Sequence, residues 1–148
     1  MTKTINFDMD GTMVDLYGVE NWLEMLMNED TTPYEIAKPL IDFRILAPIL
    51  NKLIKKGYTI NIISWGSKNS SPEYLERVAA VKKAYLKRRL PSVKFANIFV
   101  VPYGTPKYML AKGILFDDEE PNRNGWRKHN GTYSFDETDI INVLKALL

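Results

Sequence analysis

An α/β fold with a mainly parallel sheet is predicted by two features of the sequence. Short apolar segments that suit strands alternate with longer segments whose apolar residues recur at helical spacing, a pattern typical of parallel strands joined by right-handed helical crossovers. Acidic and hydroxyl side chains follow the strand segments directly, and open α/β sheets bind ligands at that edge. We therefore expect one domain, residues 1–148, with a three-layer Rossmann-like architecture in which helices flank the sheet.

The first predicted strand, residues 5–7, runs directly into a pair of carboxylates. Asp8 and Asp10 stand two residues apart, before Gly11-Thr12. Residues i and i+2 of a strand point to the same side, so these two side chains are expected to leave the strand end together. Carboxylates aimed at one point repel each other unless a cation or a shared proton intervenes, and oxygen ligands of this kind suit Mg²⁺. The alternative interpretation is an acidic turn after an edge strand.

Residues 16–42 are predicted to form a small helical insertion after this first strand. Apolar spacing predicts an amphipathic helix over 16–27, and Thr32-Pro33 is typical of a helix N-cap followed by Pro at the first helical position. A second, short helix is therefore expected over 33–38. The insertion is shorter than a separate compact domain requires.

The remaining elements follow from apolar spacing and turn residues. Helices are predicted over 47–56 and 72–89, strands over 58–63, 97–101 and 113–116, and a last helix after a cap at Ser134 or Asp136. Asn130-Gly131 is a two-residue turn signal, so one or two edge strands are expected within 126–135. On the helix over 72–89, the predicted buried face contains Tyr74, Leu75, Val78, Val81, Tyr85 and Leu86, and the predicted polar face contains Lys82, Lys83, Lys87, Arg88 and Arg89.

Composition and charge narrow the class of protein. The chain has no cysteine, which excludes disulfides, thiolate nucleophiles and cysteine metal sites. No apolar run approaches the length that spans a bilayer, and the N-terminus lacks a signal-peptide apolar region, so we expect a cytoplasmic protein without a membrane partner. Net charge is −7 over 1–43, +12 over 44–112 and −3 over 113–148. A basic middle could attract an anionic substrate or nucleic acid, but solvation of outer helix faces is the interpretation we favour.

Polar groups from four strand ends or nearby loops are expected to meet at one edge of the sheet. They can perform phosphoryl transfer: carboxylates hold Mg²⁺, one carboxylate attacks phosphorus, a hydroxyl and an ammonium bind phosphate oxygens, and a second acid protonates the leaving group. The residues are Asp8, Asp10, Ser64, Lys107, Asp117 and Asp118.

The order of these residues resembles that of haloacid dehalogenase (HAD)-like phosphohydrolases over essentially the whole chain. Asp8-Met9-Asp10-Gly11-Thr12 matches the family's first motif, Asp-x-Asp-x-Thr, while Ser64, Lys107 and Asp117-Asp118 match the second, third and fourth motifs. The late segment, with Pro121-Asn122 and Gly125-Trp126 after the acidic pair, is similar to the small-cap 5′-nucleotidase and 5′(3′)-deoxyribonucleotidase branch. Residues 16–42 are shorter than the caps of those enzymes.

The resemblance implies roles for each motif. Asp8 would be the nucleophile that forms an aspartyl-phosphate, and Asp10 the general acid/base. Mg²⁺ would be held by Asp8, the main-chain carbonyl of Asp10, and Asp117, with Asp118 assisting. Phosphate would be bound by Ser64 and Lys107, together with Trp65 and Gly66 of the loop after Ser64.

The expected activity is that of a Mg²⁺-dependent phosphomonoesterase acting on a nucleotide or another small phosphate ester. Two alternatives remain open: a phosphatase acting on a nucleic-acid end, and a binding module for nucleic acid or protein on a vestigial phosphatase frame. Tyr17 and Trp65 could stack on a nucleobase or could instead pad the loops around the site. The short insertion also raises the hypothesis of a homodimer in which each chain covers the other's crevice.

Overall fold

Five parallel strands form the central sheet of the structure, a computed structural model that describes residues 3–148. In chain order the strands are β1 (Thr4–Phe7), β2 (Val14–Asp15), β3 (Lys38–Pro39), β4 (Thr59–Trp65), β5 (Asn97–Val101), β6 (Ile114–Phe116) and β7 (Ser134–Phe135). The sheet order is β5-β4-β1-β6-β7, and β2 and β3 form a separate antiparallel ribbon. All pairings in the central sheet are parallel. The predicted α/β class is confirmed, and the topology is compatible with a Rossmann-like fold.

Helices cover both faces of this sheet. They are α1 (Trp22–Met27), α2 (Thr32–Ile36), α3 (Phe43–Lys55), α4 (Pro72–Arg89), α5 (Glu120–Asn130) and α6 (Ile140–Leu147). Short 3₁₀ turns cover Leu16–Gly18, Lys107–Met109 and Glu137–Asp139. Alternate residues of a strand face opposite sides of the sheet, so one face packs on α3 and α6 while the other packs on Trp126 of α5.

The long helix α4 has the predicted bounds. Ser71 caps its first turn, because the Ser71 side chain accepts a hydrogen bond from the Tyr74 backbone N–H, and Pro72 occupies the first helical position. One residue is on the wrong face in the prediction. Lys82, assigned to the polar face, is fully buried. Its partners lie at the edge of the sheet and are described with the site below.

The insertion over 16–42 is held against the first half of α4. Instead of one helix over 16–27, the chain forms the 3₁₀ turn Leu16–Gly18 and then α1, because Asn21 takes a left-handed conformation (φ 62°) between them. Buried side chains of the insertion and of α4 share one apolar cluster: Leu16, Leu26, Tyr34, Tyr74 and Val78. The predicted second helix is present as α2.

The prediction for residues 126–135 is confirmed in part, since one edge strand is present but Asn130-Gly131 does not form a hairpin turn. Gly131 takes the left-handed conformation (φ 65°), but it ends helix α5 instead of joining two antiparallel strands. One edge strand follows, β7, and it pairs in parallel with β6. The sequence signal is ambiguous because the same Gly conformation serves hairpin turns and helix C-termini.

A row of asparagines, here called the asparagine ladder (Asn6, Asn61 and Asn97), crosses three neighbouring strands in register. Asn97 Nδ2 donates to Asn61 Oδ1 at 3.2 Å, and Asn61 Nδ2 donates to Asn6 Oδ1 at 3.0 Å. Asn6 Nδ2 then donates to the carbonyl of Lys112 at 2.8 Å. Asn6 and Asn61 are buried, so a one-residue slip of β1 or β4 would leave a buried amide without its partner, and the ladder favours a single register.

Among residues 3–148, the structure contains no helix with the length and apolar character needed to cross a membrane.

Candidate active site

Three carboxylates meet where β1 and β6 end side by side. Phe7 of β1 pairs with Phe116 of β6, so Asp8 and the pair Asp117-Asp118 leave the same edge of the sheet. One carboxylate oxygen from each of Asp8, Asp117 and Asp118 lies within 4.8 Å of the others. We call these three residues the carboxylate cluster. The parallel topology thus joins residues separated by more than one hundred positions in the chain.

Lys107 neutralises part of this cluster from inside the protein. Its ammonium donates to Asp8 Oδ1 at 2.8 Å and to Asp117 Oδ2 at 2.7 Å, and the residue is only 3% exposed. Burial raises the pKa of Asp8, but the charge of Lys107 and hydrogen bonds outweigh it, so that pKa lies below its ordinary value. Burial lowers the pKa of Lys107, whereas the carboxylates of Asp8 and Asp117 raise it above its usual range. Asp8 is therefore ionised at neutral pH.

The loop after β1 fits closely against the loop after β6. The Thr12 hydroxyl oxygen lies 2.9 Å from Asp8 Oδ2 and 3.1 Å from Asp118 Oδ1, and it accepts a hydrogen bond from the Asp118 backbone N–H at 3.1 Å. Gly11 has φ +81°, and a Cβ there would stand 2.5 Å from the Asp118 carboxylate. Only glycine suits that conformation and that close approach. The Asp-x-Asp-Gly-Thr segment is thus shaped to receive the acidic pair.

Asp10 is separated from the carboxylate cluster by its own partner, Lys82 of α4. Lys82 Nζ donates to Asp10 Oδ2 at 2.8 Å, to Ser64 Oγ at 2.6 Å and to the carbonyl of Trp65 at 2.8 Å. Burial raises the pKa of Asp10, and the charge of Lys82 opposes that rise without cancelling it. Ser64 is fully buried beneath the site.

Sequence reasoning missed Lys82, although the sequence contains a signal for it. Position 82 follows Tyr74 and Val78 at intervals of four, so it continues the predicted apolar stripe of α4. A lysine in such a stripe is unusual because a buried ammonium is costly without a charged partner.

Two residues of α5 that contact the acidic pair were also missed. Asn122 Nδ2 contacts Asp117 Oδ2 at 3.3 Å, and Arg123 donates to the main-chain carbonyls of Asp117 and Asp118.

A cavity of about 440 Å³ opens above these groups. Its polar floor includes Asp8, Asp10, Lys107 and the acidic pair. Its walls are largely aromatic and apolar: Leu16, Tyr17, Trp22, Leu23, Leu26, Met27, Tyr34, Trp65 and Tyr103. Gly66 and Ser67 also line the cavity. Of the predicted phosphate-binding residues, Lys107, Trp65 and Gly66 line the cavity, whereas Ser64 supports it from below through Lys82.

The charges of the site favour a divalent cation. Asp8, Asp10, Asp117 and Asp118 carry four carboxylates, against the two ammonium groups of Lys82 and Lys107. Burial and the nearby charge of Asp8 raise the pKa of Asp117 to about 6. Burial and the hydrogen bond with Asp8 raise the pKa of Asp118 to about 8. Burial and mutual repulsion thus disfavour ionisation of the acidic pair without a cation, and hard oxygen donors of this kind fit Mg²⁺. Asp8, Asp117 and Asp118 could hold it directly, while the Asp10 carboxylate is held apart with Lys82.

No protein-family model matches the chain, and no curated protein matches it. The geometry of the site is therefore the basis for inferring its function.

Proposed function

We propose that the protein is a Mg²⁺-dependent phosphomonoesterase of the HAD-like type, acting through an aspartyl-phosphate. The observation that supports this most strongly is the carboxylate cluster with Lys107 between two of its members, at the floor of an open cavity. An acidic turn with no further role would not bury an ammonium against two carboxylates at the carboxyl edge of a parallel sheet.

The proposed reaction begins with Asp8. Its ionised carboxylate attacks phosphorus, the Asp8–phosphorus bond forms, and the ester P–O bond breaks. Lys107, which faces Asp8, supplies positive charge where negative charge develops on the phosphoryl oxygens. Bound Mg²⁺, held by Asp8, Asp117, Asp118 and the main-chain carbonyl of Asp10, would neutralise phosphate oxygens.

Asp10 is proposed as the proton carrier. Its raised pKa favours the protonated form needed to give a proton to the leaving alkoxide. In the second half of the reaction, water attacks the aspartyl-phosphate, Asp10 takes a proton from that water, and Asp8 is released with inorganic phosphate. Asp10 lines the cavity, where both the leaving group and the attacking water must pass.

The aromatic walls favour a flat leaving group, and we propose a nucleoside monophosphate as the substrate class. Tyr17 contacts Trp22 edge to face at a centroid distance of 4.9 Å, and Trp65 packs on Tyr103 at the same distance. A volume of about 440 Å³ is within the range of ligand sites. In this proposal the insertion over 16–42 acts as a small cap, since α1 supplies Leu23, Leu26 and Met27 to the cavity.

Phosphate release from a substrate panel tests this function. The panel contains nucleoside monophosphates, sugar phosphates and a 3′-phosphorylated oligonucleotide, each assayed with Mg²⁺ and with EDTA. We expect turnover that requires Mg²⁺ and falls by about 10³-fold or more in Asp8→Asn. The matched control is Asp139→Asn, the same chemical change at an exposed position, which should keep full activity.

Each other outcome has a definite meaning. Equal turnover by Asp8→Asn, or turnover that survives EDTA, would contradict the mechanism. Preference for the oligonucleotide, with activity that falls steeply as salt is added, would favour the nucleic-acid-end phosphatase. No turnover on any panel member by folded, Mg²⁺-binding protein would favour a binding role.

A further inference from the structure

We infer that Lys82 is a positioning residue that acts through Asp10, holding the Asp10 carboxylate away from the carboxylate cluster so that its second oxygen faces the leaving group. This inference rests on the proposed function. It concerns a residue to which neither the motif pattern nor the proposed mechanism assigns a role.

The hydrogen-bonding capacity of Lys82 is fully used. Its ammonium has three donors, and they go to Asp10 Oδ2, Ser64 Oγ and the Trp65 carbonyl. The residue is fully buried, and its ammonium also lies 4.8 Å from the ring centre of Tyr34 in the insertion. Burying an ammonium is costly unless its geometry is well satisfied. All three donors of the Lys82 ammonium have an acceptor, so the direction of the Asp10 carboxylate is tightly constrained.

The two carboxylate oxygens of Asp10 differ in their partners. Oδ2 accepts from Lys82, and within residues 3–148 no donor is hydrogen-bonded to Oδ1. Asp10 nevertheless lines the cavity. The oxygen left free is thus the one available for proton exchange with a leaving group. Lys82 contributes orientation, and Asp10 Oδ1 carries the proton.

Loss of Lys82 would leave the Asp10 carboxylate without its hydrogen-bonded partner. Asp10 stands two residues after Asp8, a member of the carboxylate cluster that is proposed to hold Mg²⁺. A carboxylate that lost its ammonium partner would be attracted to the metal ion. Bound there, it would no longer reach the leaving group. Lys82 therefore divides the four acidic residues into a metal-binding set and a proton carrier.

Leaving-group dependence tests this role. A general acid matters most when the leaving group is a poor one, so Lys82→Met should lose about 10²-fold or more in kcat/KM for a nucleoside or alkyl phosphate. For a nitrophenyl phosphate, whose leaving group needs little protonation, the loss should be less than about tenfold. We use kcat/KM because it reports the step in which Asp8 is phosphorylated. Lys83→Met, an exposed neighbour, is the matched control.

Two further variants separate positioning from a merely structural effect. In an Asp10→Asn background, Lys82→Met should cause no further loss in the alkyl phosphate assay, since the residue it acts through is already neutral. The chain has no cysteine, so Lys82→Cys creates a single thiol. Alkylation of the unfolded variant with 2-bromoethylamine and refolding would restore an ammonium at position 82. Recovery of alkyl phosphate turnover is then expected.

Mg²⁺ affinity supplies a readout that does not depend on turnover. By isothermal titration calorimetry, Lys82→Met should bind Mg²⁺ about tenfold more tightly because Asp10 joins the metal ligands, and Lys82→Met/Asp10→Asn should not. Equal losses for alkyl and nitrophenyl substrates, or unchanged Mg²⁺ affinity in folded Lys82→Met, would overturn the inference. A wild-type protein with no phosphatase activity would overturn the proposed function, and the calorimetry would still decide whether Lys82 holds Asp10 apart.

Discussion

Two sets of polar side chains share strand β1 and differ in how they are satisfied. The asparagine ladder crosses β1, β4 and β5 and is neutral, with each amide donating to the next acceptor. The carboxylate cluster lies at the carboxyl edge, where Asp8, Asp117 and Asp118 converge with Lys107 as their buried cation. The ladder is complete within the chain. The cluster retains surplus negative charge and is suited to an external cation.

The asparagine ladder stabilises the fold, whereas the carboxylate cluster provides the proposed metal site. A neutral, fully hydrogen-bonded row contributes to register and costs little, whereas a row of like charges opposes folding until a cation joins it. Variants of the ladder should therefore change stability without changing metal binding. Variants of the carboxylate cluster should have their main effect on metal binding. Three predictions test this contrast, in order of decreasing effect.

The largest effect is expected from Asn6→Leu. The change leaves the Asn61 amide and the Lys112 carbonyl without their partner, so the free energy of unfolding should fall by about 3 kcal/mol. Asn6→Leu/Asn61→Leu should cost less than the sum of its single variants, since both sides of one hydrogen bond are removed together. Urea denaturation measures the free energy of unfolding of the single and double variants. The control Asn142→Leu, at an exposed position of helix α6, should change stability by less than about 0.5 kcal/mol, and a similarly small loss for Asn6→Leu would contradict the role of the ladder.

Mg²⁺ should stabilise the protein through the cluster alone. At a concentration one hundred times the dissociation constant, the gain is expected to be about 2.7 kcal/mol, measured as a rise in the thermal midpoint. Asp117→Asn should remove this gain because it takes away a carboxylate of the cluster. Asp139→Asn and Asn61→Leu should retain it. A full Mg²⁺ shift in Asp117→Asn would place the ion elsewhere.

The smallest effect is expected from pH. The pKa values of Asp117, about 6, and Asp118, about 8, are raised in the folded protein, so folding favours their protonated forms. Metal-free protein should lose roughly 1 kcal/mol of stability between pH 7 and pH 8, mainly as Asp118 ionises. The lowered pKa of Asp8 acts below that window. Thermal melts in EDTA should show the decline, and Asp118→Asn should flatten it; a rise in stability over this range would contradict the assignment.

Much of the fold is predictable because it follows from local patterns. The strands β1, β4, β5 and β6 and the helices α3 and α4 have apolar spacing that matches their burial. Errors occurred where one local signal serves two structures. Asn130-Gly131 suits a hairpin turn and a helix end equally, and its neighbours decide for the helix end. Asn21 breaks the predicted helix over 16–27 by taking a left-handed conformation.

By itself the sequence determined the α/β class and which carboxylates would stand at the strand ends, because side-chain alternation and strand order are local or nearly local properties. Only the tertiary structure decided how those carboxylates divide. Lys107 joins Asp8 to Asp117, and Lys82 draws Asp10 toward Ser64 and Trp65. In the sequence, Lys107 is predicted to bind phosphate and Lys82 is assigned to the polar face of its helix. Their role depends on which buried charges the packing of α4 and β6 places beside them, since the energy of a buried charge is set by its partners in space.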